Sequence, residues 1–167
     1  LLASCGKNED CDIVTPQPED LVSPALYATL SQSSTDPYNG PLEVLPCETN
    51  GSFYIGNYTA KGKQVPFPAY YLITNGIGKS QKYPLRLPVG TYNVIYWGYP
   101  DYFGTAGDAY LADPTLIIGK KLNTTSLGLR KIPGDTVYYP IHSLVYGTQN
   151  INIGKDDLQA HLKHASA

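Results

Sequence analysis

The chain has 167 residues, of which 42% are hydrophobic, and this is enough for one domain with a substantial core but little for two. Its 16 Gly, 14 Pro and 15 Tyr disfavour a helical protein and predict an all-β fold. A formal net charge of −2 gives no basic surface for nucleic acid, so partners are expected to be protein, glycan or otherwise uncharged.

The N-terminal tetrapeptide LASC, which ends at Cys5, has the form of a bacterial lipobox. The chain has no Met, and we therefore interpret its start as lying inside a secretion signal. The lipobox predicts that Cys5 is the lipidated residue. Two or more acyl chains on this cysteine would anchor the protein stably to a membrane. We expect residues 1–20 to contain the lipobox and a tether, and residues 21–167 to form a single domain.

The two remaining cysteines, Cys11 and Cys47, form an even pair. A disulfide between them would tie the tether to the first hairpin, as suits an exported protein. A metal site is disfavoured, because the sequence has no CxxC motif and its three histidines lie far from both cysteines. We expect no cofactor.

The first half of the domain alternates short apolar runs with turn residues, which is typical of a β-sandwich or barrel. Its first run contains Pro24, and we interpret that run as an edge strand. The predicted strands cover residues 21–30, 42–45, 52–58 and 69–74, with turns at Asn50-Gly51 and Asn75-Gly76.

Residues 91–97 give the strongest strand signal, because nearly all of them are β-branched or aromatic. Apolar side chains occupy both faces, which predicts a central strand that is covered on both sides. Periodicity does not decide which face points to the main core. Tyr92, Val94 and Tyr96 lie on one face, and Ile95 and Trp97 lie on the other.

Residues 99–113 are predicted to be a long loop, and they lack the D-x-D-x-D-G pattern of a calcium site. Its aromatic residues could contact a glycan or a protein, whereas burial against the core is the alternative interpretation. These residues are Tyr99, Tyr102, Phe103 and Tyr110.

The last third contains a candidate modification site and an ambiguous segment. Thr136 belongs to the tripeptide DTV, which resembles the O-glycosylation motif of exported Bacteroidetes proteins. Residues 157–165 fit both helical and strand spacing; propensity favours a helix, and the surrounding β structure favours a strand. The other predicted strands cover residues 115–118, 127–132, 136–146 and 150–153.

Catalytic motifs are missing from the sequence, which has no GxSxG, HExxH, P-loop or GxGxxG pattern. The paired carboxylates, at 9–10 and 156–157, are adjacent in sequence, so in an extended chain they point to opposite faces. We therefore expect no catalytic residues and no enzymatic activity.

Two stretches carry a resemblance to a known family. YPLRLPVGTYNVIYWG, at 83–98, and TVYYPIHSLVYGTQNINIGKDDLQAHLKHA, at 136–165, are similar to the N-terminal domain of FimB/Mfa2-like fimbrial subunits of Bacteroidales, which are lipoproteins related to fimbrillins. The resemblance implies a transthyretin-like Greek-key β-sandwich of about seven or more strands, and its family usually carries a second domain. It also implies a lipid-anchored anchor, accessory or adhesin-type subunit at the outer membrane and cell surface, with other fimbrial subunits and a host protein or glycan as partners.

The implied assembly mechanism is β-strand exchange or edge pairing between subunits. In polymerising relatives a trypsin-like protease first removes the N-terminal strand, but no arginine precedes Arg86 in this chain. This departure favours a subunit that keeps its first strand, and Lys61 and Lys63 are the remaining candidates for cleavage. The alternative function is a surface glycan-binding β-sandwich lipoprotein with exposed rings such as Trp97 and Tyr99.

Overall fold

The structure is a computed structural model, and its described residues form an all-β fold with one short 3-10 helix at Pro18–Asp20. Cys5, Cys11, Tyr102, Phe103 and Tyr110 lie outside the described residues. Within the described part of the chain, no helix is long and apolar enough to cross a membrane. The described residues are 16–30, 35–49, 53–80, 83–100, 111–112, 116–122, 128–129, 134, 136 and 144–164.

Thirteen strands occur in these described ranges. They are β1 (Leu21–Val22), β2 (Leu26–Leu30), β3 (Gly40–Cys47), β4 (Asn57–Tyr58), β5 (Gln64–Val65), β6 (Ala69–Thr74), β7 (Ile77–Ser80), β8 (Leu87–Pro88), β9 (Gly90–Gly98), β10 (Leu111–Ala112), β11 (Gly128–Leu129), β12 (Val145–Ile153) and β13 (Leu158–His164). Seven of them form a closed barrel in the order β12-β13-β2-β7-β6-β3-β9. The pairs β1–β8, β4–β5 and β10–β11 form separate two-stranded sheets.

The barrel is paired unevenly around its circumference. β9 pairs with β12 along the whole length of both strands, and β2 lies parallel to β13 along all of β2. In contrast, β2 meets β7 only at Tyr27↔Ile77, and β12 meets β13 only near Val145 and Tyr146. The all-β prediction is confirmed, whereas the two-sheet Greek-key arrangement is not confirmed by this closed order of strands.

β9 is the central strand that the sequence predicts, with β12 on one side and β3 on the other. Its inner face packs into the main core through Tyr92, Val94 and Tyr96. Its outer face packs into a second cluster that contains Leu45, Cys47, Tyr54 and Trp97, with Ile95 packed against it. The second half of the strand, over 94–97, is therefore covered on both sides, as its two apolar faces predict, whereas the outer face at Thr91 is exposed.

Residues 158–164 form a strand, which resolves the ambiguity near the C-terminus. Leu158, Ala160 and Leu162 are buried, and the residues between them are exposed, as in a strand with one face on a core. β2 pairs with β13 and also has a neighbour on its other side, so the prediction that residues 21–30 form an edge strand is wrong.

Two predicted strand boundaries in the first half are also wrong. β3 continues through Pro46 to Cys47. The Pro46 carbonyl accepts a hydrogen bond from the Ile55 N–H at 3.2 Å, so the side of Pro46 that lacks an N–H faces away from β9 and the pairing with β9 is not interrupted. The predicted strand over 52–58 is interrupted at Gly56, where φ is +78°, and only Asn57–Tyr58 remain as a strand.

Boundaries in the last third differ as well. Residues 116–118 end in a turn instead of forming a strand, and β11 is the only strand described between 127 and 132. β12 spans the end of the predicted strand 136–146 and the whole of the predicted strand 150–153. Gly147 and the polar residues after it interrupt the apolar pattern, so the sequence predicts two strands, but the pairing with β9 is continuous.

Candidate assembly site

β2 and its neighbours are the candidate assembly site, because the family resemblance attaches strand exchange to the N-terminal strand. On one side, Leu26 of β2 lies opposite Leu158 of β13, and this parallel pairing continues to Leu30 and Leu162. The inward side chains of Leu26 and Ala28 are only 2% and 1% exposed. The inward side chains of β2 are therefore part of the main core.

The other side of β2 is paired by two short segments. The Ala28 N–H donates to the Gly76 carbonyl at 2.9 Å, and the Ala28 carbonyl accepts from the Tyr38 N–H at 3.0 Å. The Leu30 N–H donates to the Asp36 carbonyl at 3.0 Å. We call β2, β13, Gly76 and residues 36–38 the β2 seam. Backbone hydrogen bonds therefore join β2 to the fold on both of its sides.

The turn between β6 and β7 is built by residues that favour positive φ. Asn75 and Gly76 have φ of 51° and 78°, as a tight hairpin turn of the primed type requires. The Gly76 N–H donates to the Tyr38 carbonyl at 2.9 Å, and a Cβ on Gly76 would lie 3.1 Å from the Ala28 carbonyl oxygen. The Asn-Gly pair thus brings this turn against β2.

Strands β12 and β13 diverge from their short contact, and Tyr96 lies where they separate. Its hydroxyl donates to Oε1 of Gln149 at 3.3 Å, and a side chain at Gly147 would collide with its ring. Burial raises the pKa of Tyr96, although a hydrogen bond with the His161 backbone opposes that shift. Tyr96 therefore links β9, β12 and β13 inside the barrel.

The N-terminal side of β2 lies on one end of the barrel. Leu21 pairs with Pro88 and Val22 pairs with Leu87, so β1 lies beside β8. A Cβ on Gly62 would lie 3.2 Å from the Pro16 carbonyl oxygen, which places residue 16 against the turn after β4. The last residues of the predicted tether therefore lie against the domain at this end.

Arg86, the first arginine of the chain, is held in a half-buried segment. The buried Asn57 accepts from the Arg86 N–H at 2.8 Å and donates to the Pro84 carbonyl at 2.8 Å. The Arg86 guanidinium donates to the Tyr58 carbonyl at 3.2 Å. No local sequence pattern marks this role of Asn57, because its partners lie 27 and 29 residues away.

The other candidate cleavage residues, Lys61 and Lys63, are exposed in a tight turn. The Thr59 N–H donates to the Lys63 carbonyl at 2.8 Å, and the Lys63 N–H donates to Oγ1 of Thr59 at 3.1 Å. The backbone at both lysines is therefore tied into a compact turn, although their side chains reach solvent.

The remaining predicted site residues are scattered. Burial raises the pKa of the Cys47 thiol to about 12, and its pairing with Cys11 stays a prediction because Cys11 lies outside the described residues. Tyr99 is 6% exposed, so its ring is buried, while Thr136 is exposed. In the described ranges, no group of three or more His, Cys, Asp or Glu side chains is arranged to hold a metal ion.

Comparison with known proteins identifies a family. A family model described as "Fimbrillin-A associated anchor proteins Mfa1 and Mfa2" matches residues 14–167. No curated protein and no solved structure matches the chain. The matched range includes every strand of the barrel and the whole β2 seam.

Proposed function

The chain belongs to the family of fimbrillin-A associated anchor proteins Mfa1 and Mfa2, and from this premise we propose that it is a lipid-anchored subunit that holds fimbriae at the outer membrane. The family is structural, and its name associates it with other fimbrial subunits at the cell surface. The family match over residues 14–167 is the observation that carries the proposal.

The β2 seam supports an anchor or accessory role over that of a polymerising stalk subunit. A polymerising subunit must give up a strand so that a partner can fill its place. In this chain β2 is paired on both sides and closes the main core, and the first arginine lies far beyond it at Arg86. We infer that the subunit keeps β2 and offers a different edge or strand to its partner.

Lipidation of Cys5 is the proposed means of attachment. The LASC motif supports it, and the segment that follows reaches the domain at the end formed by β1 and β8. Two or more acyl chains would hold this end near the membrane, since each buried methylene contributes about 0.8 kcal/mol. The far end of the barrel would then face the fimbria.

A deletion strain tests the proposal. In a fimbriated Bacteroidales strain that encodes this chain, removal of the gene should release fimbriae into the medium, and the wild-type gene should restore them to the cells. A Cys5→Ala gene, expressed to the same level, should fail to restore them. Fimbriae that remain on the cells of the deletion strain would contradict the anchor role.

A further inference from the structure

Two neighbouring strands of the barrel carry no charged residue. β9 reads GTYNVIYWG and β12 reads VYGTQNINI, and they pair along their full length. Residues of the outer face alternate with those that enter the core, and most of them are exposed. We call the following residues the amide face: Thr91, Asn93, Tyr146, Thr148, Asn150 and Asn152.

Hydrogen bonds across the two strands fix the carboxamides of this face. Thr91 donates to Oδ1 of Asn152 at 2.6 Å, and Nδ2 of Asn93 donates to Oδ1 of Asn150 at 3.0 Å. Thr148 donates to Oδ1 of Asn93 at 3.2 Å. Both Asn150 and Asn152 are exposed, and neither of their Nδ2 groups donates to another described residue. The face therefore presents two oriented, neutral hydrogen-bond donors to solvent.

An aromatic ring lies in line with these donors. Tyr146 is on the same face of β12 and is 48% exposed. Residues two apart in a strand are about 7 Å apart, so Asn150 and Asn152 have that spacing and Tyr146 lies about 13 Å from Asn150. Tyr146 lies opposite the buried Trp97 of β9, on the same face of the sheet.

We propose that the amide face binds a neutral glycan. Sugar hydroxyl groups accept hydrogen bonds from carboxamide N–H groups, and the apolar face of a sugar ring stacks on an exposed aromatic ring. β9 and β12 themselves carry no charged side chain, and on the neighbouring strands Glu43 of β3 lies opposite Trp97. Lys163 is opposite Tyr146, and the Asp156 carboxylate accepts from the Asn152 N–H at 3.2 Å.

This inference goes beyond the anchor role, which needs no glycan. It also differs from strand addition, since an added strand pairs with the edge of a sheet and leaves the face free. The proposed aromatic contact is Tyr146 of β12 and not Tyr99 of the predicted loop, because Tyr146 is exposed and Tyr99 is buried.

A binding experiment tests the proposal with soluble dextran, mannan and arabinogalactan as neutral probes and hyaluronan as the anionic probe. Trp97 is the only tryptophan and lies opposite Tyr146, so its fluorescence reports binding at this face, and affinity electrophoresis provides an independent affinity. The variants are Tyr146→Ala, Tyr146→Phe and the double variant Asn150→Ala with Asn152→Ala. Gln159→Ala, on the exposed side of β13, is the matched control.

At least one neutral probe should bind the wild-type protein. Its affinity should fall about tenfold or more in Tyr146→Ala and in the double Asn variant, as the loss of a ring contact or of two donors predicts. Tyr146→Phe and Gln159→Ala should bind within about twofold of wild type. Binding to hyaluronan alone, binding that persists in Tyr146→Ala and the double variant, or no binding to any neutral probe would overturn the proposal without affecting the anchor role.

Discussion

Leu26 of β2 and Leu158 of β13 lie opposite each other in a parallel pair, and both side chains are buried in the main core. This contact joins β2 to the last strand in the described part of the chain. β2 therefore contributes buried side chains to the main core in addition to its backbone hydrogen bonds with β13. A chain that lost β2 would expose the apolar row of β13 to water.

Shortening Leu158 should therefore destabilise the domain strongly. We expect Leu158→Ala to lower the free energy of unfolding by about 2–5 kcal/mol, because it leaves a cavity between β2 and β13. The neighbouring Gln159→Ala, which changes an exposed side chain, should change it by less than about 0.5 kcal/mol. Urea unfolding curves compare the two, and equal losses would contradict the packing described.

Gly98, at the end of β9, should not tolerate a side chain. A Cβ at this position would collide with the Pro41 carbonyl oxygen and with the Tyr38 hydroxyl, which donates to that carbonyl at 2.6 Å. We expect Gly98→Ala to cost about 1–3 kcal/mol or more in unfolding free energy. Gly90→Ala, where the nearest atom would be 3.6 Å away, is the control, and a similar loss there would count against this explanation.

Asn57 should protect the backbone at Arg86 from cleavage. Asn57→Ala removes both hydrogen bonds to the segment 84–86 and leaves an N–H and a carbonyl without partners, at a cost of about 2–4 kcal/mol. We expect trypsin to cut after Arg86 faster in this variant than in wild type, as measured by mass spectrometry of timed digests. Unchanged cleavage at Arg86 would show that the amide does not hold this segment.

Stability should fall at alkaline pH. Burial raises the pKa of Tyr71, Tyr92 and Cys47 to about 12 in the folded protein, above their ordinary values in an unfolded chain. The unfolded state therefore loses these protons first, so the contribution of these groups to the unfolding free energy is constant below about pH 8 and declines from about pH 9 to 12. With a reductant present to keep Cys47 a thiol, the stability of Cys47→Ala should decline less steeply than that of wild type over the lower part of this range, as measured by urea unfolding at several pH values. An identical slope would contradict the assignment to the thiol.

The parts of the fold that were predictable from the sequence are local. The composition of residues 91–97 predicts a central strand with two covered faces, and the Asn75-Gly76 pair predicts the turn that reaches β2. The alternation of residues 158–162 is consistent with a strand once the surrounding β structure is taken into account.

Other features depend on partners that are distant in sequence. Nothing local shows that β2 lies parallel to β13, which is why β2 reads as an edge strand. Pro46 stops a strand by the usual rule, but here its missing donor points away from β9. The amide face is likewise not predictable from the sequence, because its residues come together only through the register between β9 and β12.

The intact mass of the protein recovered from the membrane fraction of a fimbriated Bacteroidales strain tests the central claim most directly, with a Cys5→Ala strain as the control. We predict a mass that starts at Cys5, carries a diacyl or triacyl increment and includes β2, and we predict that Cys5→Ala moves the protein to the soluble fraction. A wild-type protein that is soluble and unmodified, or whose mass starts after Lys61, Lys63 or Arg86, would contradict a lipid-anchored subunit that keeps its first strand.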